Sequence, residues 1–299
     1  MDQSFNQKQP ASLEELLQQC TVKLTLPELH QHGTGFFVAP NLILTCNHVV
    51  SGSAKLKCPE GRRVKVRWQD QENFVEAEVI KSCVDPVDLA LLSFKQVSST
   101  QVPYVYFDTK IEHRQNLYSF GYPDEDFPNG FPVTLTYVGL TGDKPPYMIF
   151  NREQIRRGMS GAALLNQDTR KVCGIVKFTR DAGSDLGGGG VSAQTILSEL
   201  PELIQYQNVP CQKDDLWTSF LINGNIDRNT LLERLRSCPA GIFRVVMSFL
   251  RPPAGTLSSE NSAQATRAAE LIEWAEHPDG CGLEEVQKAY LRAIGKSKL

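Results

Sequence analysis

The sequence lacks an excess of basic charge: 31 lysines and arginines face 34 aspartates and glutamates, for a net charge of −3. Binding nucleic acid or a membrane surface through charge needs the opposite balance, so neither partner is expected. Long apolar runs are missing too. The longest, at residues 35–40 and 42–44, fall far short of the ~20 residues that cross a bilayer. The stretch MDQSFNQKQPASLEELLQQ holds no apolar export segment, and a cytoplasmic location is the expectation. The eight cysteines, at 20, 46, 58, 83, 173, 211, 238 and 281, nowhere show zinc-clamp spacing. No metal is expected, and the thiols read as reduced, small apolar side chains. No internal repeat is visible.

The rest of the composition is globular. The chain has 299 residues, 41% apolar and 22% charged, with 22 glycines and 17 prolines. That suits about two domains of roughly 150 residues. From about 20 to 200, short apolar runs (HGTGFFV, NLILTC, KVRW, EAEVI, LALLSF, VTLTYV, YMIF, CGIVKF) alternate with turn signals such as Asn129-Gly130 and Gly142-Asp143. Many short strands so punctuated predict a mostly β architecture, a sandwich or a barrel, and the length fits one large barrel or two small ones. Arg63 to Trp68 alternates strictly, so its basic residues read as one solvated face of a hairpin and not as a nucleic-acid site. Gly187 to Gly190 follows no βα pattern and reads as a loop.

After about residue 212 the period becomes helical. Pro239-Ala240-Gly241 divides 230–250 into two helices, and Asn261 or Ser262 is placed to cap a third. That helix has apolar positions Ala265, Ala268, Ala269, Ile272 and Ala275, and should stop at His277-Pro278. Leu283, Val286, Tyr290 and Ile294 mark a fourth. With 11 basic and 11 acidic residues from 212 to 299, this tail is neutral. The expected organisation is an N-terminal extension at 1–19, a β domain at 20–204, a linker at 205–215 and a helical bundle at 216–299.

Three stretches carry chemistry when taken together: Leu44-Thr45-Cys46-Asn47-His48-Val49-Val50, Asp85-Pro86-Val87-Asp88-Leu89-Ala90, and Arg156-Arg157-Gly158-Met159-Ser160-Gly161. An alcohol attacks an amide only if a base takes its proton. A neutral imidazole does so near pH 7, and a buried carboxylate fixes its tautomer. A glycine two residues before the serine lets backbone N–H groups converge where an oxyanion forms, and losing one such donor costs about 3–4 kcal/mol.

LTCNHVV, DLALLSF and GMSGAAL, preceded by Gly33-Thr34-Gly35-Phe36-Phe37-Val38, resemble the signature regions of the chymotrypsin-like serine proteases, nearest the HtrA-like branch. The resemblance spans roughly 20–200 and implies a double six-stranded β-barrel with its site in the cleft between barrels. It implies His48 as general base, Asp88 as its orienter and Ser160 as nucleophile. The amides of Gly158 and Ser160 form the implied oxyanion hole, and Gln154, Lys177, Phe178 and Thr179 the substrate wall. No cofactor is implied, and the substrate is a polypeptide.

The sequence departs from that family in places. Met159 stands where an aspartate is usual and no Ile-Val-Gly-Gly start is visible, so activation by a buried N-terminal ammonium is not expected. Val49 replaces a family cysteine, and Lys177 a frequent serine. Asp181 and Asp185 read as loop acids. An α/β-hydrolase is excluded by Ala162 at the last motif glycine and by a downstream histidine only in the tail, at His277. Gly295-Lys296-Ser297 lacks the glycine a P-loop needs, having Tyr290 instead.

The tail, through Arg267-Ala268-Ala269-Glu270-Leu271-Ile272-Glu273-Trp274-Ala275, resembles the death-like effector-associated domains of bacterial conflict systems. That implies a partner with a cognate helical domain, such as a sensor NTPase. Two functions follow as expectations: a serine endopeptidase recruited through its tail, or a catalytically silent protease-like adaptor.

Overall fold

A computed structural model describes residues 10, 12–29, 31–68, 73–95, 102–123, 127–151, 155–179, 187–207, 217, 228–259 and 261–296. The chain divides into two compact units, Met1–Val209 and Pro210–Leu299. Helix α1 (Leu13–Cys20) opens the first, with Ser12 Oγ accepting from the Glu15 amide. Leu16, Leu17 and Cys20 are fully buried, and Gln18 donates to Tyr118 Oη at 2.8 Å. Residues read as an extension thus include a packed amphipathic helix.

Two closed antiparallel barrels follow. The first comprises β1 (Thr21–Leu26), β2 (Gln31–Ala39), β3 (Leu42–Cys46), β4 (Arg63–Trp68), β5 (Val75–Cys83) and β6 (Leu89–Phe94). The second comprises β7 (Asn116–Gly121), β8 (Phe131–Leu140), β9 (Tyr147–Asn151), β10 (Ala163–Asn166), β11 (Lys171–Thr179) and β12 (Gly188–Ser192). Around the first ring the order is β1-β2-β3-β6-β5-β4, and around the second β7-β8-β9-β12-β11-β10, the same topology twice. This is the double six-stranded barrel expected from the motifs.

Alternation puts Val22, Leu24, Val64, Val66, Val79 and Leu92 inside the first barrel. Phe37, Trp68 and Phe94 stack there, with Phe37 5.5 Å from each of the other two ring centroids. On the outer face of β4, Arg63 and Lys65 are exposed and register with Glu78 and Glu76 of β5. These basic residues thus lie on the solvated face of the hairpin that the alternation predicts, opposite acidic partners. Leu117, Val133, Leu135, Met148, Phe150 and Val176 fill the second barrel.

The glycine run is a correction. Gly188 to Gly190 form a buried strand, not a loop, and a Cβ on Gly189 would lie 2.2 Å from the Phe178 ring. These glycines let two backbones approach closely, a demand that period and turn chemistry do not register. Helices α2 (Asn47–Ser51), α3 (Ala193–Glu199) and α4 (Ile204–Gln207) complete the unit. Gln207 Oε1 accepts from the Phe107 amide at 2.7 Å, so the chain stays attached to Phe107 at the third residue of the expected linker.

The second unit holds α5 (Arg228–Ser237), α6 (Ala240–Leu250), α7 (Gln264–Glu276) and α8 (Leu283–Lys296). Helix α5 packs on α7 and α6 on α8. Their shared core is Leu231, Leu235, Phe243, Val246, Leu271, Ile272 and Val286. Pro239 separates α5 from α6 as expected. The cap of α7 is Ala263, with no side-chain bond, and not Asn261 or Ser262; Ala265 is exposed. Instead Gln264 Nε2 donates to the Leu235 and Cys238 carbonyls, each at 2.8 Å, closing the open end of α5. Among the described residues no helix is long and apolar enough to cross a membrane, and the seven described cysteines are all free. The isolated 210–299 segment is expected to give a helical far-UV circular dichroism spectrum. Leu271→Ala should lower its unfolding free energy in urea by about 2–5 kcal/mol; a coil spectrum contradicts a self-sufficient core.

Candidate active site

Strand β3 runs straight into α2, the single turn of helix that carries His48. Buried Asn47 holds the following loop, donating to the Ser53 and Leu56 carbonyls at 3.2 and 2.9 Å and accepting from the Cys58 amide at 3.2 Å. Before β6 the chain folds tightly, the Val87 and Asp88 amides both donating to the Val84 carbonyl. Asp88 leaves this turn at φ 58°, a region aspartate tolerates better than most residues. Its carboxylate is fully buried and doubly engaged by one residue. Oδ1 accepts the His48 backbone N–H at 2.9 Å, and Oδ2 lies 2.7 Å from His48 Nδ1. A proton on Nδ1 leaves the lone pair on Nε2.

Ser160 comes from the second barrel. The Met159 amide closes a β-turn on the Arg156 carbonyl, with Gly158 at φ 89° in its third position and Gly161 following at φ 91°. Such angles need glycine. At Gly161 space demands it as well, since a Cβ would stand 1.9 Å from the Thr34 carbonyl oxygen. The turn is docked there on β2. The Thr34 amide donates to the Ser160 carbonyl at 3.0 Å, and Thr34 Oγ1 donates to the Gly158 carbonyl at 2.8 Å. That hydroxyl also accepts from the Tyr122 amide at 2.9 Å, while Thr45 Oγ1 donates to the Thr34 carbonyl at 2.6 Å. Among the described residues the Gly158 and Ser160 amides find no acceptor. Met159 is fully buried in the second barrel's core.

His48, Asp88 and Ser160 line one open cavity of about 450 Å³, with Asp85, Tyr147, Arg156, Arg157, Lys177 and Phe178. The Ser160 hydroxyl donates to the Lys177 carbonyl at 3.1 Å, and among the described residues no hydrogen bond joins it to His48. Lys177 is on β11, but its ammonium reaches Asp85 and does not stand free in the cavity. Phe178 is half-buried, its ring edge-on to Tyr147 at 5.9 Å. The backbone of Thr179 pairs with Gly188. Gln154, Asp181 and Asp185 lie outside the described residues.

Cys46, His48 and Asp88 offer three potential ligand atoms within 4.8 Å of one another. The donor set does not suit a metal. Burial pushes the Cys46 thiol far above its usual range, and its Sγ donates to the Val176 carbonyl at 3.3 Å, whereas a metal takes the thiolate. Both Asp88 oxygens are already held by His48.

Sequence reasoning missed Thr34, Tyr147 and Asp85 as members of this site. For Asp85 a signal existed: a lysine on the apolar run CGIVKF must bury its charge and so needs a carboxylate. Thr34 and Tyr147 carried none.

Residues 33–175 match the family model described as a trypsin-like peptidase domain. No curated protein matches the chain. Among solved structures, a mutant of Rv3671c from M. tuberculosis in its inactive form is 21% identical, with a TM-score of 0.50, over 66% of this chain and 92% of that one. The active form of the Rv3671c protease is 22% identical, with a TM-score of 0.50, over 64% of this chain and 83% of that one. At such identities the likeness carries the fold. The N-terminal unit thus has the chymotrypsin-like fold, and residues 33–175 within it are similar to the trypsin-like peptidase domain.

Proposed function

We propose that the chain is a serine endopeptidase that hydrolyses peptide bonds through an acyl-enzyme, with Ser160 as nucleophile, His48 as general base and Asp88 as its orienter. One observation carries this reading. The buried Asp88 carboxylate holds both the amide and Nδ1 of His48, leaving Nε2 unpartnered among the described residues, beside the cavity that Ser160 also lines. Rotation about the Ser160 Cα–Cβ bond turns Oγ from the Lys177 carbonyl toward that nitrogen, a hydrogen bond that tightens when substrate is bound.

Oγ then bonds to the scissile carbonyl carbon as its proton passes to Nε2, and Asp88 stabilises the imidazolium. The oxygen that becomes negative takes hydrogen bonds from the Gly158 and Ser160 amides. Collapse breaks the C–N bond, and the amine leaves with the proton from Nε2. Water repeats the sequence on the ester, releasing the acid and restoring the hydroxyl. The proposed substrate wall comprises Lys177, through its backbone carbonyl, with Phe178, Thr179 and Gln154. The helical unit is proposed to recruit the peptidase, in the cytoplasm, to a protein with a like helical domain, such as a sensor NTPase in bacterial defence. Support comes from its resemblance to effector-associated domains and from its own core.

A silent, adaptor-like protein is the second reading, favoured by the Ser160 hydroxyl facing Lys177. Labelling with a fluorophosphonate, together with peptide cleavage, separates the two. Wild type is expected to label and cleave, Ser160→Ala to do neither, and Ser160→Ala or His48→Ala to lose on the order of 10⁶-fold in kcat. Labelling that survives in Ser160→Ala contradicts the nucleophile, and a wild type that neither labels nor cleaves leaves the adaptor.

Thr34→Val keeps the side-chain volume but removes the donor to the Gly158 carbonyl and the acceptor for Tyr122. Labelling is expected to slow by roughly 10- to 100-fold, from about 1–3 kcal/mol of lost hydrogen bonding. An unchanged rate means that the Ser160 turn holds its shape unaided.

A further inference from the structure

We propose that Lys177 is a positioning residue: its buried ammonium ties the cleft strand of the second barrel to the 84–88 turn of the first, and so fixes the carboxylate that orients His48. The kinetic part of this inference rests on the peptidase reading; the geometric part does not.

Lys177 is 8% exposed. Its Nζ lies 2.7 Å from Asp85 Oδ1, 2.9 Å from the Pro86 carbonyl oxygen and 3.2 Å from Tyr147 Oη. An ammonium has three N–H donors, and each has an acceptor here, so none remains to recognise substrate. Tyr147 Oη in turn donates to the Pro86 carbonyl at 2.9 Å, and its ring centroid lies 4.6 Å from Nζ. Burial acts most strongly on Lys177 and would lower its pKa. The bonds to Asp85 and Tyr147, with the nearby Asp88 charge, outweigh it and raise the pKa above its ordinary value. Lys177 therefore keeps its charge throughout the neutral range.

The turn that Lys177 grips is the one that shapes Asp88. On the first-barrel side it is anchored by the Asp85 amide, which donates to the Ala54 carbonyl at 2.8 Å. Asp85 and Pro86 are otherwise exposed. Three residues after Asp85 the chain must deliver Asp88 at φ 58° with both oxygens on His48. A backbone in that region persists only where its surroundings over-determine it. Grip from the opposite barrel supplies this, and it ties the orientation of His48 to the closeness of the two cleft walls.

The test uses the full chain with Lys177→Met, Asp85→Asn and both together, on a peptide that wild type cleaves. Each single variant is expected to lower kcat by about 10- to 100-fold, the scale of a small misplacement of reacting groups, with KM little changed. The double variant should be no worse than the poorer single one, because both remove the same link. A second readout needs no turnover: the low-field proton resonance of His48 Nδ1–H, expected to shift or broaden in Lys177→Met. A raised KM with kcat intact makes Lys177 a substrate-binding residue and overturns the proposal. So do losses that multiply in the double variant, or an unaltered resonance. If Lys177→Met does not fold, Asp85→Asn at its exposed turn carries the same comparison. If wild type fails to label at Ser160, the peptidase reading falls while the resonance still decides the role of Lys177.

Discussion

The chemistry of the N-terminal unit depends on the docking of one turn against one strand. Each barrel is a closed ring of strands, so strand pairing within either ring does not join it to the other. Thr34 on β2 makes the connection. Its amide and hydroxyl hold the Ser160 and Gly158 carbonyls of the opposite barrel, and Gly161 leaves room for that approach. Lys177 forms a second tie across the cleft, from β11 to the turn that ends in Asp88. Between these two seams lies the cavity, where an imidazole from one barrel and a hydroxyl from the other face the same space.

The division between what the sequence displays and what it conceals follows from range. Strands such as β4 and β6 are legible because alternation or an unbroken apolar run lies within a few residues, as are His48, Asp88 and Ser160 through the chemistry of their neighbours. β12 is concealed because its glycines are selected by the Phe178 ring and the backbone of the neighbouring strand, contacts that the glycine run itself does not display. Thr34 is concealed for the same reason: between two glycines it looks like any small polar residue, and its partners lie 88 and 124 positions away. The repeated topology leaves no trace in the letters, since a barrel demands alternation and turns but no particular residues.

In the helical unit the 3.6-residue period suffices to place the elements, because each helix buries one stripe. Leu271 escapes the pattern drawn from the alanines, yet is the fully buried residue beside Ile272. The cap of α7 escapes as well. Gln264 reaches across to the Leu235 and Cys238 carbonyls, a long-range alternative to the local capping that Asn261 or Ser262 suggests.

A crystal structure of the full chain after reaction with a phosphonate bears most directly on the central claim. The account predicts a bond from Ser160 Oγ to phosphorus, with a phosphoryl oxygen about 2.7–3.1 Å from the Gly158 and Ser160 amides and His48 Nε2 turned to the leaving side. Phosphorus on another residue, or a phosphoryl oxygen directed into solvent away from both amides, would contradict it.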